Sequence, residues 1–494
     1  MITMGILKIG NLRKTYYYFR KNGLKNVFYA AAERILDQRG KEYRYQAPSE
    51  AELAMQRKKA EKYSYLFSIL VPAYETKAEY LREMIDSVLG QSYPRFELIL
   101  ADASETGAVR KVAEEYTDER IKYLPLAENK GIAENTNAAL AHARGDYVAL
   151  LDHDDLLAGD ALFEMAEAIG RSAGKGRLAC LLYSDEDKGN GAMTEFYEPH
   201  WKPGLNRDLL FSNNYICHFL VMKRELMQKL KLRRGYDGAQ DYDLVLRAVG
   251  ELVYEGEKDR EAVVHVPKVL YHWRCHRDST AENPKSKEYA YEAGKKALED
   301  FMESRGWKGS VSHTRHLGFY HIEYENHIFD QRKEVGVVGG KLLDRKGRIA
   351  GGIYNAKGKC LYLGLNRNFS GYMHRASLCQ EAYAVDLRCM RVRKELWGIF
   401  EDVFGIPYKE TNIGGLRQFC YDGMNAGVHG ELDKCMEFGR RVRRAGYTVV
   451  WMPDWEWREK GRRNARGMEQ QAEYGRNGND DEKSCGHNSS NTEL

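Results

Sequence analysis

Short apolar runs alternate with helical stripes of apolar residues over the first third of the chain after residue 65. A run that ends at a proline, as at residues 67–72, is typical of a buried strand. Further strands are predicted at residues 96–100, 121–126 and 147–151, with helices at residues 81–89 and 132–143. This alternation predicts βαβ units and therefore an α/β fold with a mainly parallel sheet flanked by helices.

Parallel sheets bind ligands beyond the carboxyl ends of their strands, so the polar residues there are the first candidates for chemistry. The fourth predicted strand runs directly into Asp152-His153-Asp154-Asp155. Carboxylates at alternate positions of an extended turn can share a Mg²⁺ or Mn²⁺ ion, which keeps other coordination positions for phosphate oxygens. The alternative is a turn whose aspartates cap a helix at residues 156–168.

Two further strand ends carry polar residues. Asp102 ends the second strand, where a carboxylate can accept hydrogen bonds from a nucleoside, or can instead form an Asx turn. After the third strand, Gly131 permits a tight turn into the next helix and places Lys130 where a phosphate could bind. Each signal is weak alone, and their order along one sheet is what makes them informative.

The order and spacing of these motifs resemble the glycosyltransferase family 2 domain with its GT-A fold, over residues 66–280. The similar segments are Ser68-Ile69-Leu70-Val71-Pro72-Ala73-Tyr74, residues 81–93, residues 97–102, Asn129-Lys130-Gly131, Asn135 with Asn137, and residues 149–155. The resemblance implies transfer from a nucleotide-diphosphate sugar, with a divalent cation and inversion at the anomeric carbon.

The resemblance also implies roles for individual residues. It implies that Asp152 and Asp154 lie at the metal and the diphosphate. It implies contacts to the nucleotide sugar from Pro72, Tyr74, Glu75, Asp102, Lys130 and Asn135.

An inverting transfer needs a general base that takes the proton from the acceptor hydroxyl. Residues 240–244 resemble the family's Glu-Asp-x-Asp-Leu segment, with Gln240 in place of the glutamate and Asp241 at the position of the base. The alternative is that Asp241 and Asp243 only favour the first turn of a helix electrostatically.

The block at residues 266–280 resembles the family's segment that closes the donor site. The resemblance implies that Arg274 binds the diphosphate and that a histidine binds the metal. His276 is favoured over His272 as that histidine.

Charge and cysteine content bear on location. Residues 1–64 carry a net charge of +8 and the rest −4, and tyrosines are interleaved with the bases. This segment is predicted to be helical and either to contact an anionic membrane at the inner face of the plasma membrane or to pack on the next domain. Nine scattered cysteines without a Cys-x-x-Cys indicate a reduced, cytoplasmic protein. The overall charge of +4 does not suggest a nucleic-acid partner.

The predicted domains are residues 1–64, a catalytic domain at residues 65–310, a companion domain at residues 311–460 and a disordered tail at residues 461–494. The companion resembles the rear half of a second GT-A domain that lacks its own Asp-x-Asp, and we expect it to support homo-oligomers or the acceptor. Asp433 is the residue there that could suggest a second base.

The predicted function is therefore sugar transfer from a UDP- or dTDP-linked donor to a growing cell-surface glycan or a lipid-linked saccharide. Two alternatives remain at this point. A sugar-nucleotide nucleotidyltransferase usually carries a glycine-rich loop after its first strand, where this chain has Ala73-Tyr74-Glu75-Thr76. A non-catalytic sugar-nucleotide-binding scaffold would have lost acidic residues that this chain retains.

Overall fold

A computed structural model describes residues 9–36, 43–254, 260–275, 288–409, 411–412, 419–420 and 432–458 of the chain. The chain forms two compact units, Met1–Arg332 and Lys333–Leu494, so the division falls later than the boundary at residue 310 suggested by the sequence. The predicted disordered tail and His276 lie outside the described residues, and the predictions for them stay predictions.

The first unit alternates strands and helices through most of its length. Its helices are α1 Ile9–Leu36, α2 Glu50–Ala60, α3 Ala78–Leu89, α4 Ala108–Ala113, α5 Ile132–Ala141, α6 Ala161–Gly174, α7 Arg207–Leu210, α8 Arg224–Leu230, α9 Gln240–Val249, α10 Glu288–Ser304 and α11 Ile328–Gln331. Its strands are β1 Phe67–Ala73, β2 Phe96–Asp102, β3 Ile121–Pro125, β4 Tyr147–Leu150, β5 Leu156–Leu157, β6 Leu181–Gly189, β7 Phe196–His200, β8 Leu220–Lys223, β9 Val263–Arg274, β10 Gly309–His313 and β11 Tyr320–Tyr324.

One large sheet in the order β3-β2-β1-β4-β8-β6-β9-β5 organises this unit, with β7 beside β6. The sheet is parallel from β3 to β4 and again between β6 and β9, whereas β8 runs antiparallel to both of its neighbours. The prediction of an α/β fold with a mainly parallel sheet is confirmed. The strand order reverses around β1, and such a switch point opens a ligand crevice at the carboxyl ends of the strands.

The register of the parallel strands brings three polar segments to that crevice. Ala73 at the end of β1 lies opposite Asp102 at the end of β2, and Leu70 lies opposite Leu150 at the end of β4. The acidic turn after β4 therefore emerges beside the end of β1. The sheet is fixed there because β1 and β2 are almost wholly buried and α3 packs its apolar stripe against them.

The segment after the acidic turn differs from the helix expected at residues 156–168. Leu156 and Leu157 pair as β5 with His272 and Tyr271 of β9, and the following helix begins at Ala161. Because the chain stays extended after Asp155, the aspartates of the acidic turn do not cap that helix. The alternative interpretation, in which these aspartates cap a helix at residues 156–168, is therefore wrong.

The basic N-terminal segment contains two helices. The side-chain amide of Asn22 in α1 donates to the carbonyl oxygen of Arg315 at 3.1 Å, and Arg315 donates to Asn26 at 3.4 Å. Helix α2 begins with a capping box between Ser49 and Glu52. Among the described residues, no helix combines the length and apolar character that a membrane crossing requires.

The second unit is a smaller α/β assembly. Its elements are β12 Val335–Leu343, β13 Ile349–Gly351, β14 Ile353–Tyr354, β15 Gln380–Glu381, β16 Ala384–Val385, β17 Met390–Val392, α12 Trp397–Phe404, β18 Thr411–Asn412, β19 Phe419–Cys420, α13 Leu432–Arg444 and β20 Thr448–Arg458. Strands β12 and β20 pair in parallel, and α12 and α13 bury aromatic side chains in the core beside this sheet.

Candidate active site

The acidic turn that follows β4 is held in place by one of its own carboxylates. Asp155 is buried; its Oδ2 accepts from the Tyr271 hydroxyl at 2.5 Å and its Oδ1 accepts from the backbone N–H of Arg274 at 2.7 Å. The Tyr271 hydroxyl also accepts from the backbone N–H of Asp152 at 3.3 Å. Both oxygens of Asp155 therefore hold the turn in place. Asp152 and Asp154 are the candidate metal ligands of this turn.

Negative charge is concentrated at this turn. Burial raises the pKa of Asp152, and the charges of Asp154 and Asp241 raise it further, while His218 opposes them. Burial, Asp154 and Asp152 likewise raise the pKa of Asp155 well above its usual range. Adjacent oxygen ligands whose charges repel one another suit a hard divalent cation, which relieves that repulsion. The residues present therefore fit a Mg²⁺ or Mn²⁺ ion.

Arg274 braces the turn from the other side. Its side chain is fully buried; Nε donates to the Asp154 carbonyl at 2.5 Å and Nη1 donates to the Gly191 carbonyl at 2.9 Å. The guanidinium also pairs with Glu83 at 2.6 Å and lies over the Tyr80 ring. These contacts position the turn that carries the acidic residues. The predicted contact of Arg274 with a diphosphate stays a prediction.

Of the two histidines considered as metal ligands, the structure describes His272 but not His276. His272 is buried; its Nδ1 lies 2.6 Å from Asp187 Oδ1, and its ring packs against the rings of Tyr45 and Phe196. This environment gives His272 a structural role between β6 and the segment before α2. His276 is outside the described residues, so its role as a ligand stays a prediction.

The ends of β1 and β2 are tied together by Glu75. Its carboxylate accepts from the backbone N–H groups of Glu105 at 2.8 Å and Thr106 at 3.1 Å, and from the Thr106 hydroxyl at 2.6 Å. The Thr106 hydroxyl and these amides lower the pKa of Glu75. Next to it, Tyr74 is 45% exposed, and Pro72 lies opposite Ala101 in the sheet. Tyr74 is therefore available to a ligand in the crevice.

Asp102 forms the Asx turn considered above. Its Oδ1 accepts from the Ser104 backbone N–H and its Oδ2 accepts from the Tyr123 hydroxyl, both at 2.8 Å. Burial, with the Asp102 hydrogen bond, raises the pKa of Tyr123 to about 12. The carboxylate stands at the crevice edge, and its contact with a nucleoside stays a prediction.

The loop after β3 is shaped by amide side chains. The Asn135 amide donates to Asn129 Oδ1 at 3.0 Å, and Asn135 Oδ1 accepts from the Lys130 backbone N–H at 3.3 Å. The Lys130 ammonium is exposed and pairs with Glu128 at 2.9 Å. Asn135 is buried and orders this loop. Its predicted contact with a nucleotide, like that of Lys130, stays a prediction.

Asp241 and Asp243 differ in their surroundings although both lie in the first turn of α9. The Asp243 carboxylate is buried between Arg233 and Arg247, with Arg247 Nη2 at 2.7 Å, so it has a structural role. Asp241 instead accepts from the Asn214 side-chain amide at 2.8 Å and from the Cys217 thiol at 3.4 Å. Gln240 accepts the Gly238 backbone N–H at 2.7 Å and thereby orders the start of the helix.

Cys217 and His218, which lie near Asp241, were not predicted as site residues, whereas Glu186 belongs to an acidic cluster at residues 183–187 that resembles the family's segment beside the acceptor site or could form a solvated loop. Ligand atoms of Glu186, Cys217 and His218 lie within 4.8 Å of one another, and the His218 ring stacks on Tyr271. Although burial opposes it, the Lys202 ammonium and the His200 imidazole hold the pKa of Glu186 well below its usual range. The acidic segment at residues 185–187 thus belongs to strand β6 and is largely buried. The polar pair Cys217-His218 within an apolar run was the available signal.

Part of the first unit is similar to known glycosyltransferases. Residues 68–231 match the family model described as glycosyl transferase family 2. This segment is about a third of the chain, and the resemblance to that family predicted from the motifs is confirmed.

Two relatives are each similar to about half of the chain. An uncharacterized protein of Sinorhizobium fredii is 40% identical over 241 residues, which are 48% of this chain and 25% of the relative. The O-antigen biosynthesis protein RfbC of Myxococcus xanthus is 33% identical over 253 residues, which are 50% of this chain and 19% of the relative. The matched region therefore spans a quarter or less of the length of these two relatives.

A solved structure is also similar. The crystal structure of S. aureus TarS 1–349 has a TM-score of 0.37 and 20% identity, over 48% of this chain and 65% of that chain. Similarity at this level is too low to support an inference about ligands.

Proposed function

We propose that this protein is an inverting glycosyltransferase. It moves a sugar from a UDP- or dTDP-linked donor to a hydroxyl of a growing cell-surface glycan or lipid-linked saccharide. The observation that carries the proposal is a chain of contacts between Asp241 and the acidic turn. Asp241 accepts from the Cys217 thiol at 3.4 Å, and the next residue, His218, stacks on Tyr271 with ring centroids 4.5 Å apart. The Tyr271 hydroxyl in turn contacts Asp152 and Asp155 of the acidic turn, so the proposed base lies near the proposed cation-binding carboxylates.

The acidic turn supplies the donor side of the reaction. Asp152 and Asp154 would hold the Mn²⁺ or Mg²⁺ ion, which when bound neutralises charge on a departing diphosphate. Tyr271, Asp155 and Arg274 keep this turn in one conformation. The remaining residues proposed to contact the nucleotide sugar are Pro72, Tyr74, Glu75, Asp102, Lys130, Asn135 and Arg274.

Asp241 supplies the acceptor side. Its carboxylate takes the proton from the acceptor hydroxyl as that oxygen attacks the anomeric carbon, on the face opposite the departing diphosphate. A positioned base of this kind contributes about 10²- to 10⁴-fold to the rate. In contrast, Asp243 is neutralised by two arginines and is not available for this task.

The acceptor class is proposed from the relatives and from the N-terminal helix. The name of the Myxococcus xanthus relative refers to O-antigen biosynthesis, which favours a polysaccharide or its lipid-linked precursor. Helix α1 exposes Leu24 and Phe28 by 74% and 68%, within a segment of net charge +8. Such a surface suits peripheral contact with anionic lipids, near a lipid-linked acceptor.

We propose a supporting role for the second unit, either in self-association or in holding the acceptor. Within the described residues of that unit, no strand ends in an Asp-x-Asp sequence. Asp433 lies in the first turn of α13, as Asp241 does in α9, but the residues described in its own unit include no acidic turn of that kind. Asp433 therefore offers a matched control for the role of Asp241.

The test uses purified full-length protein with Mn²⁺, a panel of nucleotide sugars and a lipid-linked acceptor extract. Asp241→Asn should lower turnover by roughly 10²- to 10⁴-fold and leave Mn²⁺-dependent nucleotide binding unchanged. Asp433→Asn should retain wild-type turnover. NMR of the product should show an anomeric configuration opposite to that of the donor. Wild-type turnover in Asp241→Asn, or a retained configuration, would refute the proposal.

A further inference from the structure

The Asp241 carboxylate is held through one of its two oxygens. The Asn214 side-chain amide and the Cys217 thiol both donate to Oδ2, at 2.8 Å and 3.4 Å. Over the part of the chain that the structure describes, Oδ1 has no hydrogen-bond partner. The two oxygens are therefore chemically different before any substrate binds.

The orientation of Asn214 is itself determined by the turn that follows it. The Cys217 backbone N–H donates to Asn214 Oδ1 at 3.3 Å, which directs the NH₂ group of the amide towards Asp241. The Lys202 ammonium, whose side chain is fully buried, donates to the Ile216 carbonyl at 2.8 Å and to the His218 carbonyl. Carbonyls on both sides of Cys217 are thus fixed by a single cation, and the turn presents its two donors in a defined geometry.

We propose that Asn214 is a positioning residue, which acts with the Cys217 thiol to fix Asp241 so that Oδ1 is the oxygen that accepts the proton. This inference rests on the proposed function. In the step it serves, the acceptor oxygen forms a bond to the anomeric carbon while the bond from that carbon to the diphosphate oxygen breaks. The electron pair leaves with the nucleoside diphosphate, and the hydroxyl proton passes to Oδ1.

Hydrogen bonds to Oδ2 stabilise the charged form of the Asp241 carboxylate and also fix its orientation. The charge of Asp241 also acts on Asp152, on the Cys217 thiol and on Tyr320 of β11, and Glu186 and the Lys202 ammonium lie beside the turn that carries Cys217. A second carboxylate at position 214 would be in direct contact with the Asp241 carboxylate, so its effect on proton transfer should be large.

Asn214→Asp is the decisive variant because it preserves shape. Its carboxylate can still accept a hydrogen bond from the Cys217 backbone N–H. Where the Asn214 amide donates to Asp241, however, the variant has an oxygen that carries negative charge, as Asp241 does. Two carboxylates in contact share a proton, so the acidic limb of the kcat/KM profile should move up by about one pH unit or more. At neutral pH kcat should fall roughly 10- to 100-fold. Mn²⁺-dependent UDP binding and thermal stability should stay near wild type.

Three further variants separate positioning from a merely structural role. Asn355→Asp adds the same charge in a turn of the second unit and should change neither the limb nor kcat. Cys217→Ser keeps a donor to Oδ2 and should stay within about threefold of wild-type kcat, whereas Cys217→Ala should fall below it. Asn214→Ala removes one donor without adding a charge, so it should lower kcat and raise the acidic limb by less than Asn214→Asp does, which provides a second measurement if Asn214→Asp is unstable.

The outcomes distinguish this inference from the function on which it rests. If Asp241→Asn is inactive while Asn214→Asp and Asn214→Ala keep wild-type kcat and pH profile, the positioning role is refuted and the base stands. A rise in KM with unchanged kcat would show that Asn214 contacts substrate, which also overturns positioning. If Asp241→Asn turns over normally, the base assignment fails and the positioning role fails with it.

Discussion

Gly131 stands where the loop after β3 meets the segment that leads into α9. Its φ and ψ of 93° and 164° lie in a region that is essentially restricted to glycine. A Cβ at this position would lie 2.3 Å from Asp237 Oδ2, roughly 1 Å closer than a normal contact. Asp237 in turn accepts from the Ala133 backbone N–H at 3.4 Å. Gly131→Ala therefore combines backbone strain with a steric clash.

The two contributions have different sizes. Backbone strain in this region costs about 1–3 kcal/mol. The clash is with the end of a side chain that can rotate away, so it costs about 1 kcal/mol, the worth of the lost hydrogen bond to Ala133. We expect Gly131→Ala to destabilise the first unit by about 2–4 kcal/mol. Asp237→Ala alone removes the same hydrogen bond and should cost about 1 kcal/mol, so adding it to Gly131→Ala should cost little more.

Scanning calorimetry of the full chain can measure this, because the second unit provides an internal reference. At roughly 2 °C per kcal/mol, the transition of the first unit should fall by about 4–8 °C. A double variant of Gly131→Ala and Asp237→Ala that is as stable as Asp237→Ala alone would show that the clash, and not the backbone, decides the cost. A shift below about 1 °C for Gly131→Ala alone would refute the requirement for glycine.

Two other substitutions test the acidic turn and the membrane surface. Tyr271→Phe removes the hydroxyl that donates to buried Asp155, so calorimetry should show a loss of about 1–3 kcal/mol in the first unit, and no change would contradict this role for the hydroxyl. Leu24→Ser with Phe28→Ser should reduce co-sedimentation with anionic vesicles, whereas Met55→Ser, at a similarly exposed position on α2, should not. Undiminished co-sedimentation would show that these residues of α1 do not contribute to vesicle binding.

The sheet was predictable because its strands are buried runs with a clear period. The apolar runs that begin β1, β2 and β4 lie where the pattern indicates, since burial on both faces leaves little freedom in composition. The pairing of Leu156 and Leu157 with β9 was not predictable, because the partner strand follows more than 100 residues later. The local sequence pattern favours a helix there, but pairing with a distant strand determines the structure.

At the site, the sequence indicated which residue types gather at the strand ends but not how each is used. Asp155 and Asp152 look alike in the sequence, and only the approach of Tyr271 from β9 distinguishes them. The neutralisation of Asp243 and the contacts of Asp241 likewise depend on residues from distant segments. Spacing along the chain carries no information about such contacts.

The central claim is that the acidic turn holds a divalent cation together with the nucleotide. Electron paramagnetic resonance of Mn²⁺ titrated into the full-length protein with UDP tests it directly. A nucleotide-dependent bound signal is predicted for the wild type and for Asp241→Asn, and its loss is predicted when Asp152 and Asp154 are both changed to Ala. An unchanged bound signal in that double variant would contradict the claim.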